Sequence, residues 1–258
     1  MYAEKNAASS TTFTYLGGPS GILEYGGLRF LIDPTFDPPQ TYSYDDGDTP
    51  LVKTQGPALH ESEIGDIDVV LASHHEHEDN LDSRGAEFAM TAPVVLSTPK
   101  AGEDLGSPWV GMSDWSQYEV GLVTITAVPA LHGPPGIEDV IGPVVGFVLQ
   151  APGLPNVYVS GDNASLEKVQ EIADRYAPIG VAILFAGAAR VPEIDAALTL
   201  TSVDAAEAAQ ILRAGQVVGV HTEDWQHFSE TRAQLEAAFA DSGLLVPTPR
   251  GETIALVE

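Results

Sequence analysis

Positions 74 to 79 read His-His-Glu-His-Glu-Asp, six side chains that each offer a nitrogen or a carboxylate oxygen to a cation. Three of the chain's seven histidines fall within four positions, a density that an inert surface has little reason to carry. In the pattern His75-x-His77-x-Asp79, two imidazoles can approach one ion while the carboxylate turns toward a second. Borderline-soft divalent ions take imidazole nitrogen and carboxylate oxygen; Zn is the usual case, with Mn, Fe or Ni as alternatives. The chain has no cysteine, so any metal must be held by N and O donors. The plain alternative is a solvated polar loop after a strand.

Strands must position these groups. Ile67 to Ala72 is an apolar run that leads straight into the histidine cluster. Leu122 to Val128 alternates clearly and runs into Pro129-Ala130-Leu131-His132-Gly133-Pro134, which holds His132 on a stiff turn. Asn156 to Ser160 ends in Gly161-Asp162, and Gln216 to Val220 delivers His221, with His227 six residues further on. Four strand ends that each offer a donor are how a rigid scaffold presents a site along one rim.

The remaining strands are expected at Thr11 to Leu16, Gly21 to Tyr25, Leu28 to Asp33, Pro93 to Ser97, Val144 to Gln150, Val181 to Phe185 and Thr253 to Val257. Helices are expected over Leu166 to Tyr176 behind a Ser165 cap, Val203 to Arg213 behind Thr201-Ser202, and Glu230 to Asp241 behind Ser229. Strands come in runs first and alternate with helices later, so the class is mixed α and β. The stretch from Thr35 to Gly56 is rich in Pro, Asp, Tyr and Gly and reads as a long loop, either a wall of the site or a disordered excursion.

Composition narrows the function. The 258 residues are 44% hydrophobic, enough for a full core, and one domain spanning 1–258 is the simplest account. Thirty-seven acidic residues stand against eleven Lys and Arg, a formal charge of -26. That field repels phosphate backbones, so nucleic acid is excluded as a partner. Solubility or a salt-rich environment would each account for the acidity. No apolar run is long enough to span a bilayer, and the first residues lack the apolar core of a secretory signal. A cytoplasmic protein acting on a small molecule, away from membranes, is the expectation; the sequence leaves oligomeric state open.

The order His75-x-His77-x-Asp79, His132, Gly161-Asp162, His221 resembles the metallo-β-lactamase superfamily. The segments GGPSGILEYGGLRFLIDPTFD, PALHGPPG and HTEDWQHFSE look like its branch of the ascorbate-6-phosphate lactonase type. The likeness runs from about Tyr15 to Gly243. It implies an α+β fold, the four-layer αβ/βα sandwich, with metals at one rim. It also implies that His75, His77 and His132 hold a first ion, that Asp79 and His221 hold a second, and that Asp162 bridges them. Two departures stand out. The family motif continues with histidine where this chain has Asn80, a weaker neutral donor, so the second position is expected to be looser, differently metallated or empty. The pair His74-His75 also leaves two registers, with His74 as the alternative first ligand.

The resemblance implies a metal-dependent hydrolase that uses a metal-activated water on a small ester, lactone or phosphoester. Asp79 would orient the nucleophile, and His227 would donate to the developing oxyanion or the leaving group, unless it simply packs before the last helix. Asp33 is a candidate to fix a ligand, and Arg190 is the one cation that the sequence places near the site. Asn80 keeps a second class open, a non-catalytic metal-binding or regulatory protein with a weakened second site.

Overall fold

The computed structural model describes residues 10–44 and 49–256. Residues 1–9, part of the stretch on which the expectation about a secretory signal rests, and Val257 at the end of the expected last strand lie outside them. In chain order the first strands are β1 (Thr12–Gly17), β2 (Ser20–Tyr25), β3 (Leu28–Ile32), β4 (Gln40–Tyr42) and β5 (Leu51–Lys53). Helix α1 (Glu61–Ile64), β6 (Val69–Leu71), α2 (Ser83–Ala89), β7 (Val95–Ser97), α3 (Pro99–Leu105) and β8 (Trp109–Gly111) follow. Then come β9 (Gln117–Val120), β10 (Val123–Pro129), α4 (Glu138–Ile141), β11 (Val145–Gln150), β12 (Val157–Val159) and α5 (Leu166–Tyr176). The chain closes through β13 (Val181–Phe185), α6 (Ser202–Ile211), β14 (Gln216–Val220), α7 (Arg232–Ala238) and β15 (Thr253–Ala255).

The strands form two large sheets. One runs β15-β1-β2-β3-β6-β7-β8, antiparallel from β15 to β3 and parallel from β3 to β8. The other runs β14-β13-β12-β11-β10-β9, parallel from β14 to β12 and antiparallel from β12 to β9. Alternation within the strands decides which core each side chain enters. In β3, Phe30 and Ile32 face the second sheet across the central core, where they meet Ile125, Phe147 and Ile183. Leu31 turns the other way, into an outer core with Ile64, Ala89 and Ala101 from α1, α2 and α3. On the far side, Val148, Tyr158 and Leu184 pack with Ile172 of α5, Ala205 of α6 and Leu235 of α7. Helix, sheet, sheet, helix is the layered sandwich expected from the resemblance.

Local chemistry explains most boundaries. Ser165 caps α5 by accepting from the Lys168 amide, as expected. The last helix begins later than Ser229: Thr231 is its cap, with Gln234 closing a capping box. Ser229 instead donates to the Ala188 carbonyl at 2.6 Å, and Glu230 accepts from the Ser202 amide at 2.6 Å. These longer-range partners outcompete the local cap.

The expected long loop contains the hairpin β4-β5. Its Lys53 is buried and paired with Asp82 at 2.8 Å. Asp82 also accepts from the Phe36, Asp37 and Gly85 amides, the last as the cap of α2. One carboxylate thus ties the hairpin, the loop after β3 and the helix after the histidine cluster together. No helix among the described residues is long and apolar enough to cross a membrane.

Candidate metal centre

Two groups of donors meet where strand ends from both sheets converge. The first is His74, His77 and His132; the second is Asp79, Asp162 and His221. Within each group the donor atoms lie within 4.8 Å of one another. Of the residues expected at the site, the structure brings together His77, His132, Asp79, Asp162 and His221. His75 is not among them. Its Nε2 lies 3.1 Å from Asp104 Oδ2 on α3, and its backbone amide donates to Glu76 at 3.1 Å. His74 takes the place expected of His75.

The register is decided by contacts from other elements. Asp33, at the end of β3, accepts from the Ser73 amide at 2.6 Å and from the Ser73 hydroxyl at 2.7 Å. Ser73 Oγ in turn lies 2.9 Å from His74 Nδ1. With the hydroxyl proton given to Asp33, its oxygen is left to accept from His74 Nδ1–H, which leaves His74 Nε2 with its lone pair. That nitrogen is 2.8 Å from His77 Nδ1. With His74 anchored inward, His75 on the bend that follows meets Asp104 of α3 instead. Asp33 itself sits at φ 35, a left-handed backbone that costs energy for a non-glycine residue. Sequence reading flagged Asp33 as a residue that fixes a ligand; the relay through Ser73 was missed, although Ser73 directly precedes the cluster.

The other donors are held as firmly. His132 has Nδ1 2.8 Å from the Leu198 carbonyl, so Nδ1–H donates there and Nε2 carries the lone pair. His132 Nε2 lies 3.5 Å from Asp162 Oδ2, and His221 Nε2 lies 3.5 Å from Asp162 Oδ1. Asp162 therefore stands between the two groups. It follows Gly161 at φ 56, where a Cβ would come within 2.8 Å of both Ser73 Cβ and the Val145 carbonyl. Only glycine lets this strand end approach the cluster so closely. His221 is left-handed at φ 61, and its amide donates to the Gly18 carbonyl at 2.6 Å.

Asn80 stands where the family motif has histidine. Its Nδ2 donates to Asp33 Oδ2 at 3.0 Å and to Asp162 Oδ1 at 3.1 Å. His227 reaches the same region from the loop after β14, with Nε2 3.0 Å from Asp79 Oδ2. Arg190 is exposed, and its backbone amide donates to the His227 carbonyl at 3.0 Å. The buried cation beside the site is Lys53, whose Nζ lies 5.4 Å from the ring centre of Trp225.

Burial sets the protonation of these donors. It pushes the His132 and His77 imidazoles down to about 4, with the charge of His132 a second cause at His77. His74 is also held well below the usual histidine range by burial and by its two imidazole neighbours. All three rings are therefore neutral at pH 7, the form that binds a metal. Burial raises Asp162 to about 7 against the pull of His221, and raises Asp33 to about 7 against hydrogen bonds from Asn80 and Ser73. Burial would raise Asp79 too, but the charge of His227, the nearby His221 imidazole and the hydrogen bond from His227 hold it well below the usual carboxylate range.

These residues fit a divalent cation. Asp162 Oδ2, Asn80 Oδ1 and both ring nitrogens of His221 are buried with no hydrogen-bond partner among the described residues. Buried polar atoms are rarely left so, and several unpartnered atoms in one place point to an ion. Neutral imidazoles and carboxylates are the donors such an ion takes. Above the donors lies a cavity of about 50 Å³. His77, Asp79, His132 and His227 form its polar floor. Leu51 of β5, Ile141, Ala189, Val191 and Leu198 form its walls.

Known proteins share this arrangement of the chain. A UPF0173 metal-dependent hydrolase of Pyrococcus furiosus is 22% identical over 249 residues, covering 94% of this chain and 98% of the relative. Its counterpart in Pyrococcus abyssi is 24% identical over 195 residues, covering 74% of this chain and 82% of the relative. Among solved structures, a possible metal-dependent hydrolase from Veillonella parvula superposes with a TM-score of 0.84 at 19% identity, covering 96% of this chain and 100% of its own. An isothiocyanate hydrolase from Delia radicum gut bacteria gives 0.82 at 19% identity, over 95% of this chain and 98% of its own. The family model of the beta-lactamase superfamily domain matches residues 28–222, from β3 through the donor at His221. That span is most of the chain and holds every donor of both groups, and the chain belongs to the beta-lactamase superfamily.

Proposed function

We propose that the protein is a metal-dependent hydrolase acting on a small, uncharged carboxylic ester or lactone. The observation that carries this reading is the pair of donor groups under one apolar-walled cavity. His74, His77 and His132 would hold one divalent ion, Asp79 and His221 a second, and Asp162 would lie between them. Zn is the ion such donors usually take, with Mn, Fe and Ni as alternatives. A bound divalent ion would supply the Lewis acidity that brings the pKa of water toward ~7 and polarises a substrate carbonyl.

The chain's own residues do the rest. Leu51, Ile141, Val191 and Leu198 exclude water from the cavity and offer a substrate apolar contact. Among the described lining residues there is no lysine or arginine, and the lining histidines His77 and His132 are neutral at pH 7. A phosphoester would find no lysine or arginine to assist the bound ions, and the apolar walls suit an uncharged substrate, so the ester or lactone is favoured within the ester, lactone and phosphoester classes. Lactones are also what the resemblance to the ascorbate-6-phosphate lactonase type implies. Asp79 is the carboxylate on the cavity floor positioned to orient a nucleophilic water. His227, also in the cavity lining, has its Nε2 3.0 Å from Asp79 Oδ2, where it would act on that carboxylate. The non-catalytic reading is disfavoured by the cavity, which a metal store does not need.

The test is turnover by the metal-loaded protein of p-nitrophenyl esters, simple lactones, bis(p-nitrophenyl) phosphate and benzyl isothiocyanate. The last probe is included because a structural neighbour hydrolyses isothiocyanates. Ester or lactone turnover that disappears in Asp162→Ala is expected. No turnover of any ester or lactone by protein carrying two ions per chain would overturn the reading.

A further inference from the structure

We infer that His227 supplies the second metal position with the imidazole that the motif lacks at Asn80. The inference rests on the metal-dependent reading above and names a donor outside the two groups already described. Asn80 is committed elsewhere: both of its amide N–H groups are directed to Asp33 and Asp162, at 3.0 and 3.1 Å. In that role it orients the Asp162 carboxylate and leaves only a neutral amide oxygen, a poor substitute for imidazole.

His227 approaches the second group at Asp79. Asp79 Oδ2 is 3.0 Å from His227 Nε2 and 3.3 Å from His221 Nε2. Donors on one ion with bonds of about 2.0–2.1 Å stand about 2.9 Å apart in an octahedral arrangement and about 3.4 Å apart in a tetrahedral one. The two separations from Asp79 Oδ2 fall in that interval, and His221 Nε2 to Asp162 Oδ1 is 3.5 Å, just beyond it. His227 stands outside the donors that lie within 4.8 Å of one another, so its ring would turn from Asp79 toward the ion to join them. His221 Nε2, which has no hydrogen-bond partner among the described residues, lies beside the oxygen that His227 approaches.

The fold holds His227 beside Asp79. Its neighbour Phe228 packs edge-on at 4.7 Å between ring centres. The Gln226 amide donates to the Val52 carbonyl and the Arg190 amide to the His227 carbonyl, each at 3.0 Å, so the loop is stitched to β5 and to the segment after β13. A histidine missing from the strand-end motif is thereby replaced from a distant loop, and the second position regains two imidazoles and two carboxylates.

The experiment strips the full-length protein with a chelator and titrates it with Co(II), following the visible absorption of the ion and the hyperfine-shifted imidazole N–H protons. The wild type is expected to take two ions. His227→Ala is expected to keep the first ion unchanged, to bind the second more than about 100-fold more weakly, beyond the loss typical of a residue that only supports a ligand, and to lose one shifted imidazole resonance. The double variant Asn80→His/His227→Ala is expected to recover the second ion, which a merely supporting role would not allow. An unchanged first ion shows that the fold survives, and His227→Gln repeats the measurement with the side-chain volume largely retained. Two ions bound by His227→Ala with unchanged affinity and unchanged shifted resonances would overturn the inference and leave the hydrolase reading standing. A wild type that takes up no ion would overturn both.

Discussion

Replacing Lys53 with methionine should destabilise the protein by about 3 kcal/mol, for a reason legible in the partners of Asp82. The Lys53 ammonium and the Asp82 carboxylate are both buried, 2.8 Å apart. Breaking a buried pair from one side costs about 3–5 kcal/mol, because the surviving charge is left without its counter-ion. Here the carboxylate keeps three N–H donors, from Phe36, Asp37 and Gly85, at 2.7 to 2.8 Å. That residual solvation places the cost at the lower end of the range. At this chain length about 3 kcal/mol corresponds to a Tm lower by roughly 6–12 °C. Urea denaturation of the metal-free protein, followed by far-ultraviolet circular dichroism, measures it directly. The loss should persist at about 1 M salt, since a pair this buried is poorly screened. The exposed Lys100–Asp104 pair supplies the contrast: Lys100→Met should change stability little. A Lys53→Met variant within about 1 kcal/mol of wild type would refute the argument that this pair ties the hairpin to the site.

Further outcomes follow from the site. In the metal-free protein, Asp33 and Asp162 titrate near 7 when folded and near ~3.9 when unfolded. A raised carboxyl pKa gives stability that is present at low pH and lost as pH rises through the folded value. Lowering the pH from 8 to 6.5 would by itself gain roughly 1.5 kcal/mol from the two carboxyls, but His74, His77 and His132, neutral when folded, are half-protonated in the unfolded chain at pH ~6.5 and give back roughly 1 kcal/mol. The net change over this range should stay within about 0.5 kcal/mol, and below about 6.5 stability should fall as the histidines take up protons on unfolding. Denaturation midpoints check this, and a gain of more than about 1 kcal/mol between pH 8 and 6.5 would refute it. The metal-loaded protein should instead lose stability as pH falls over the same range, since protons then compete with the ion for its ligands. Substitution also separates the two neighbouring histidines. His74→Ala should weaken the first ion by more than about 100-fold, and His75→Ala should leave it unchanged, as read by chelator competition; the reverse result would restore the expected register.

The sequence by itself determined the strands that end in donors, because apolar alternation and the Gly and Pro turns after it are local signals. Val69–Leu71, Val123–Pro129, Val157–Val159 and Gln216–Val220 all appear within two residues of where the apolar runs and the alternation of Leu122 to Val128 place them. His77, Asp79, His132, Asp162 and His221 follow as their continuations. The Ser165 cap and the helix from Leu166 to Tyr176 were legible for the same reason. The hairpin hidden in the stretch from Thr35 to Gly56 was not, since its two three-residue strands carry too few alternations to register.

Tertiary structure alone decided which of two adjacent histidines turns inward. No periodicity separates His74 from His75; the choice rests on Asp33, forty positions away, which holds Ser73, and on Asp104 of α3, which meets His75. The same holds for the charges. Nothing local pairs Lys53 with Asp82 or leaves Arg190 exposed, because a salt bridge is set by where two sheets and their loops come to rest. Asn80 and His227 make the point most directly. Composition at position 80 reads as a lost donor, and only the packing of the loop after β14 against β5 brings a distant imidazole to Asp79. Donor types are written along the chain, whereas their coordination is a property of distances that folding creates.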